Sequence, residues 1–102
     1  DVVEAVLALS HARGDSVFIL GAAPGVAERA REVARVRWPG ARVVDVYAPE
    51  PGELQDPDRS AAIVARVNRH RPAFLLIALG APKQELWAAR HLEALEVGVI
   101  LP

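Results

Sequence analysis

The sequence predicts an α/β protein of three layers, in which helices cover both faces of a four-stranded, mostly parallel sheet. Short apolar runs alternate with longer segments of helical periodicity along the whole chain. Strands that are joined by helices run parallel and are connected by right-handed crossovers. The run at residues 74–79 is apolar without interruption, as in a strand that is buried on both faces. These observations favour a Rossmann-like fold, with a doubly wound strand order as the default.

The first half of the chain contains two predicted helix–strand pairs. A helix is predicted over residues 1–12 and a strand over 16–20, from their apolar patterns. The next helix is predicted from about Pro24 to Arg37, and the second strand over 41–46. Residues 47–55 are so rich in proline, glycine and glutamate that we expect a loop without regular structure.

The second half repeats the alternation. Asp56 is predicted to cap a helix that runs to about Arg69, because a carboxylate here is followed by proline at the first helical position. The strand at 74–79 follows, then a helix from Pro82 to about Leu95 and a fourth strand over 97–101. The third helix is predicted to bury Ala61, Val64 and Val67, with Ile63 flanking them.

Composition and charge limit the class of protein. The 102 residues are enough for one domain, spanning residues 1–102. A net charge of −1 provides no whole-chain attraction to nucleic acid or to an anionic membrane, and the absence of cysteine excludes disulfides and thiolate metal sites. The longest apolar run is far shorter than the roughly 20 residues that span a bilayer. We therefore expect a soluble cytoplasmic domain.

The histidines and the first glycine turn exclude several kinds of site. The three histidines, His11, His70 and His91, are dispersed beside arginines, so we interpret them as surface residues and predict no metal site. The stretch Gly21–Gly25 lacks the G-x-G-x-x-G spacing of dinucleotide-binding proteins and is not a Walker A loop. A dehydrogenase or a P-loop enzyme is therefore not predicted.

Two of the predicted helices begin without a capping side chain. They start at Ala23–Gly25 and at Ala81–Lys83, and alanine offers no acceptor for the free backbone N–H groups. Lys83, the only lysine in the chain, then lies at the positive end of a helix dipole, where a cation is disfavoured. Both features indicate an external anion such as the phosphates of a nucleotide. The alternative is a solvated surface lysine, with water on the free amides.

In a parallel sheet both of these helix starts lie at the carboxyl edge, so they meet if their strands are neighbours. Gly21 and Gly25 would allow a ligand or another backbone to approach closely, or they merely form a tight turn. Gln84 can donate and accept hydrogen bonds toward a sugar hydroxyl. Tyr47 follows the second strand at the same edge, where it either reaches a ligand or anchors its loop. Trp87 is expected to pack on the sheet rather than to stack on a base.

Several stretches, in order and at matching spacing, resemble the WecG/TagA/CpsF glycosyltransferases, glycosyltransferase family 26. The stretches that carry this resemblance are Phe18–Gly21, Pro24–Glu28, Trp38–Gly40 and Leu79–Trp87. The Pro-Lys-Gln-Glu sequence at residues 82–85, with Trp87 after it, is the most specific of them. The resemblance covers essentially the whole chain but corresponds to only the central to C-terminal part of a family protein.

The resemblance implies a UDP-sugar-dependent hexosyltransferase that transfers an N-acetylmannosamine-type sugar to a lipid-linked acceptor in cell-wall or surface polysaccharide synthesis. It also implies an inverting reaction without cofactor or metal, at the inner face of the cell membrane, with membrane contact made by parts outside this chain. Gln84 matches the family glutamine near the donor sugar and is our candidate catalytic residue. The predicted substrate-binding residues are Gly21, Ala22, Ala23, Pro24, Gly25, Tyr47, Gly80, Ala81, Pro82, Lys83 and Gln84.

Under this interpretation the chain is part of a longer glycosyltransferase and is inactive alone, because the family's proposed aspartate base has no counterpart before Asp1. Two other hypotheses stay open at this stage. One is a non-catalytic nucleotide-binding or regulatory domain on the same scaffold. The other is a structural domain that pairs with a second copy as a homo-oligomer. No nucleic-acid partner is predicted.

Overall fold

A computed structural model describes residues 2–21, 25–50, 52–80 and 83–101. In this part of the chain, helices and strands alternate as the sequence predicts. The elements are α1 (Val2–Arg13), β1 (Ser16–Gly21), α2 (Val26–Arg37), β2 (Arg42–Tyr47), a 3₁₀ helix (Glu53–Gln55), α3 (Pro57–His70), β3 (Phe74–Ala78), α4 (Lys83–His91) and β4 (Val99–Leu101).

The four strands form one sheet in the order β2-β1-β3-β4, and every neighbouring pair is parallel. The chain moves outward from β1 to β2, then crosses back over β1 to β3 and continues to β4. Right-handed crossovers in these two directions place helices on opposite faces. The three-layer, doubly wound arrangement is therefore confirmed, and the sheet is parallel throughout the described residues.

Alternation along the central strands divides the core between the two faces. Phe18 and Leu20 of β1 pack with side chains of α3 and α4, whereas Val17 and Ile19 face the layer that contains Val6 of α1. Successive side chains of a strand point to opposite faces, so a strand covered on both sides is apolar at every position. The uninterrupted apolar runs follow from this position in the sheet.

Helix α3 is rotated about its axis relative to the prediction. Its buried residues are Ser60, Ile63, Val64 and Val67, at the spacing i, i+3, i+4 and i+7 of one helical face. Ala61, which we predicted to be buried, is exposed. The larger Ile63 takes the core position, because burying it removes more apolar surface from water than burying alanine does. The cap at Asp56 is confirmed, since its carboxylate accepts from the N–H groups of residues 58 and 59.

The structure corrects two predicted element ends and one predicted loop. Helix α4 ends at His91 rather than near Leu95, because residues 92–94 turn and bring Leu95 into the core. Strand β4 begins at Val99 rather than at 97; Gly98 lies against the backbone of Ala73, which leaves no room for a β-carbon. The segment 47–55 is not wholly irregular, since a 3₁₀ helix forms at its end.

Candidate functional site

The two uncapped turns follow neighbouring strands. β1 pairs directly with β3, and Gly21 lies opposite Ala78 at their carboxyl ends. The chain then leaves β1 toward α2 on one face of the sheet and leaves β3 toward α4 on the other face. Such a point, where successive connections diverge, opens a crevice outside the strand ends in which α/β proteins bind ligands. The two helix starts were predicted to meet only if their strands were neighbours, and β1 and β3 are neighbours.

Gly21 is required by the strand beside it. A β-carbon at this position would lie 2.7 Å from the carbonyl oxygen of Ala78, and the φ angle of 103° is left-handed. Of the two interpretations, close approach of a backbone is therefore what the structure shows at Gly21. Gly25 differs, since it has a φ of 92° but has no atom within 4 Å of an added β-carbon.

The start of α2 is open. Gly25 is its N-cap residue, and among the described residues no side-chain hydrogen bond caps this helix. These N–H groups carry the positive end of the helix dipole. The predicted site residues Ala22, Ala23 and Pro24 precede this turn and lie outside the described residues, as do Ala81 and Pro82 before α4.

Lys83 and Gln84 begin α4. Lys83 is exposed and makes no ion pair among the described residues. The side-chain oxygen of Gln84 accepts from the N–H of Gly80 at 3.2 Å, and its Nε2 donates to Glu85 at 3.3 Å. The turn before α4 is therefore closed in part by a glutamine that reaches back, in the manner of a capping box. This local role was not expected from the sequence.

Tyr47 anchors the loop that follows β2. Its hydroxyl donates a hydrogen bond to the carboxylate of Glu53, and the guanidinium carbon of Arg66 lies 4.7 Å from its ring centroid. This contact shows that Tyr47 anchors its loop, and the role of Tyr47 in binding substrate stays a prediction. The contact to Glu53 raises the pKa of Tyr47 above its ordinary value, and burial raises it further.

Glu53 is a buried anchor of this loop that sequence reasoning missed. Only 4% of it is exposed, and besides Tyr47 it accepts from the N–H of Glu50 at 2.9 Å and faces Arg59 at 3.5 Å. Burial opposes ionisation of this carboxyl, but its donors outweigh burial and hold its pKa below the ordinary value. No sequence signal marks the residue, because a glutamate between glycine and leucine in a polar loop is typical of a solvated side chain.

An ion pair below the loop fixes α3 against β2. Arg66 donates to both oxygens of Asp45, at 2.7 and 2.9 Å, and His70 Nε2 lies 3.2 Å from the same carboxylate. The arginine lowers the pKa of Asp45, against an opposing effect of burial. Because Arg66 also covers Tyr47, the loop and the ion pair form one connected network.

Comparisons with known proteins identify the family of this chain. The model of the Glycosyl transferase WecG/TagA/CpsF family matches residues 1–102. The chain belongs to this family. Its curated relatives include N-acetylglucosaminyldiphosphoundecaprenol N-acetyl-beta-D-mannosaminyltransferase of two Staphylococcus aureus strains, NCTC 8325 / PS 47 and COL. Each relative is 27% identical to this chain over 101 residues. These residues make up 99% of this chain but only 37% of the relative's length.

In this member of the glycosyltransferase family, a groove runs from the switch point along the outer side of α4. Its inner cavity, of about 200 Å³, lies between the loop after β2 and Lys83. A middle cavity of about 110 Å³ reaches Arg90, and an outer one of about 330 Å³ extends to His91. Leu54 and Gln55 of the 3₁₀ helix line all three. The loop that Glu53 holds therefore forms one wall of the groove.

The floor of the groove contains a polar cluster of three residues. The indole N–H of Trp87 donates to the hydroxyl of Ser60 at 3.1 Å, and His91 Nε2 lies 3.3 Å from the same oxygen. Trp87 is 3% exposed and belongs to the core against the sheet, as predicted. Burial, and secondarily Arg90, lowers the pKa of His91. The hydroxyl of Ser60, itself 2% exposed, is engaged by both partners.

The histidines lie mostly where expected. His11 and His70 are exposed, whereas His91 is partly buried against the Trp87 ring, with 4.7 Å between the ring centroids. Within the described ranges, no group of three histidine, aspartate or glutamate side chains has a metal-binding arrangement. None of the helices in the described ranges is long and apolar enough to cross a membrane.

Proposed function

We propose that this chain is the donor-binding part of a glycosyltransferase that moves an N-acetylmannosamine-type sugar from a UDP donor to a lipid-linked acceptor. The observation that carries the proposal is the pairing of β1 with β3, which brings the turns at Gly21 and Gly80 to one crevice. Family membership and the transferase activity that the relatives' name states support the same conclusion. As the relatives are longer, the complete reaction belongs to the complete protein.

The diphosphate of the donor would lie between the start of α2 and Lys83. The open amides after Gly25 and the dipole of α2 favour a negative charge at this place. Lys83 provides a positive charge and makes no ion pair with the described residues. As the bond to the sugar breaks, negative charge grows on the leaving diphosphate. Preorganised N–H groups and an ammonium stabilise that charge where water is excluded.

Gln84 is proposed to orient the donor sugar. Its amide nitrogen carries two hydrogens, and one of them is used by Glu85. The other can donate to a sugar hydroxyl or to an N-acetyl oxygen. The hydrogen bond from Gly80 to the Gln84 oxygen holds the amide in place for this role. Preorganisation of this kind reduces the entropy lost when substrate binds.

The catalytic base is proposed to come from another part of the longer protein. Among the described carboxylates near the strand ends, Asp45 is held by Arg66, Glu53 by Tyr47 and Asp56 by its own helix. Glu50 pairs with Arg59, and Glu85 accepts from the amide of Gln84 in the first turn of α4. A general base must be free to accept a proton from the acceptor hydroxyl. These engagements also favour the second candidate, a nucleotide-binding domain without catalysis. Membrane contact and assembly into homo-oligomers are likewise assigned to the complete protein.

Titration with UDP, followed by amide NMR shifts, tests the proposal. We expect shifts at Gly25, Gly80, Lys83 and Gln84, and unchanged amides at the amino ends of the strands, such as those of Ser16 and Arg42. UMP should produce weaker binding, because it lacks the second phosphate. A folded protein without shifts at these residues contradicts nucleotide binding altogether.

Turnover separates the catalytic candidate from the binding module. The complete protein, supplied with UDP-N-acetylmannosamine and a lipid-linked N-acetylglucosamine acceptor, should release UDP. Replacement of Gln84 by alanine should lower kcat more than it raises the Kd for UDP, because the side chain is proposed to contact the sugar rather than the nucleotide. Binding of UDP without any release of UDP from the donor supports the non-catalytic candidate instead.

A further inference from the structure

We propose that Ser60 and His91 are positioning residues, which act through Trp87 to hold Lys83 and Gln84 at the donor site. This inference rests on the proposed function and adds to it a role for side chains that the donor itself does not contact. Ser60 belongs to α3, whereas Trp87 and His91 belong to α4, so their hydrogen bonds join the two helices.

Trp87 is the side chain that fixes α4 to the sheet. The helix has nine residues, and Trp87 is the buried one among those that the structure describes. Its ring packs in the core with Leu75 of β3. Lys83 and Gln84 precede Trp87 by four and three residues, so they lie one helical turn above it. The direction in which Lys83 and Gln84 point therefore depends on how the indole is held.

Ser60 holds the indole in one orientation. Its oxygen accepts from the indole N–H of Trp87 at 3.1 Å, and only 2% of Ser60 is exposed. The other buried residues of α3 are Ile63, Val64 and Val67, which are apolar. A hydroxyl at this core position is explained by the indole N–H, which would otherwise be buried without an acceptor. The hydrogen bond adds a direction to a contact that packing alone leaves adjustable.

His91 sets the direction of the Ser60 hydroxyl. Its Nε2 lies 3.3 Å from the serine oxygen. Because the indole of Trp87 already donates to this oxygen, the hydroxyl hydrogen is free to point to Nε2. Within the described ranges the Ser60 side chain makes no other hydrogen bond. Nε2 accepts a hydrogen bond only when the ring is neutral and carries its hydrogen on Nδ1.

Protonation of His91 disrupts this chain of hydrogen bonds. Nε2 then becomes a donor, and it competes with the indole for the serine oxygen. The side chains that share the outer cavity with His91 from outside α4 include Leu54, Gln55 and Pro57, which carry no charge, and Arg90 beside it is a cation. Burial, and then the charge of Arg90, lowers the pKa of His91 and keeps the ring neutral at pH 7. Donor binding should therefore weaken in acid.

Calorimetry of the complete protein with UDP-N-acetylmannosamine, in the absence of acceptor, tests the role of Ser60. Ser60→Ala should weaken donor binding about tenfold, because the indole N–H loses its acceptor. Ser60→Thr keeps the hydroxyl and should restore most of the affinity. Ser10→Ala is the matched control, since Ser10 is also buried but bonds to the backbone of Asp15 and Arg42. It should lower stability and leave donor affinity unchanged.

The pH profile of donor binding tests the role of His91. Wild-type affinity should fall as the pH drops below the ordinary histidine pKa of 6.5, and the indole N–H resonance of Trp87 should move with it. His91→Gln stays neutral and should remove this pH dependence. His11→Gln, whose imidazole accepts from Gly40 far from α4, should retain the wild-type profile. The donor is used instead of UDP because a terminal phosphate itself titrates at about pH 6.

Each other outcome has a defined meaning. Donor affinity that is unchanged in folded Ser60→Ala, or that falls equally in Ser60→Ala and Ser10→Ala, overturns the positioning role. A wild-type pH profile in His91→Gln also overturns it, and this variant decides the question if Ser60→Ala does not fold. Donor binding at neutral pH with either of these results rejects this inference alone. Absence of donor binding by the wild-type protein rejects the proposed function as well.

Discussion

The hydroxyl of Tyr47, at the end of β2, donates a hydrogen bond to the buried carboxylate of Glu53 in the 3₁₀ helix. This contact fixes the loop whose following residues, Leu54 and Gln55, form one wall of the groove along α4. A polar pair inside the protein thus positions one wall of this groove.

The pair makes a direct prediction about stability. Tyr47→Phe should lower the free energy of unfolding by about 1–3 kcal/mol, because it leaves a buried carboxylate short of a donor. Urea denaturation measures the change. In a double-mutant cycle with Glu53→Gln, the double variant should lose less than the sum of the two single variants. Additive losses would show that the two side chains are not coupled.

Substitution by alanine should destabilise the protein far more at Gly21 than at Gly25. Gly21→Ala forces a β-carbon onto the carbonyl of Ala78 in addition to left-handed strain, and should cost about 3 kcal/mol of stability. Gly25→Ala, the matched control, has a similar φ angle but open space around it, and should cost about 1 kcal/mol. Thermal or urea unfolding measures both. Equal losses would contradict the close approach of β1 and β3.

The Asp45–Arg66 pair should make the stability of the protein fall in the acid pH range. The pKa of Asp45 is lower in the folded state, so its contribution is fully present above the ordinary value of 3.8 and is lost as the pH falls through the folded-state pKa. Asp45→Asn should destabilise the protein most at neutral pH, and the difference from wild type should narrow below pH 3.8. A constant difference across the acid range would refute the assignment. Glu93→Gln, an exposed carboxylate, is the control.

His91 should make the stability of the protein depend on pH in a second range, which lies above that of Asp45. Because burial lowers its pKa in the folded state, the unfolded chain takes up the proton first. Stability should be complete above the ordinary value of 6.5 and should fall as the pH drops below it. His91→Gln should flatten this part of the profile. Ser60→Ala should retain the slope, since it keeps the buried imidazole; loss of the slope in this variant would contradict burial as the cause.

Lys83 should contribute to binding and not to folding. Lys83→Gln should weaken UDP binding about tenfold, the factor that corresponds to about 1.4 kcal/mol, by isothermal titration calorimetry. Its unfolding free energy should equal that of wild type, because Lys83 makes no ion pair with the described residues. Arg31→Gln, at an exposed position further along α2, is the charge-matched control. Unchanged UDP affinity in Lys83→Gln would remove the lysine from the donor site.

The sequence by itself determined the type and order of most elements. The apolar run at residues 74–79 indicated a strand buried on both faces, because a parallel strand that is covered on both sides is apolar at every position. The cap at Asp56 was also predicted from the sequence, since a carboxylate before proline accepts hydrogen bonds from the free amides of its own helix. The motif at 82–85 and Trp87 likewise identified the family that the comparisons show. Patterns of this kind depend on neighbours along the chain.

Only the tertiary structure decided what depends on distant residues. The order of β1 beside β3 brings the two turns together, and no local pattern encodes which strands pair. The burial of Glu53 requires Tyr47 and Arg59 to surround it, so a loop glutamate that would otherwise be solvated becomes an anchor. The groove along α4 exists because this anchored loop lies beside the helix. Its shape is therefore a property of packing, which a linear pattern of residues does not contain.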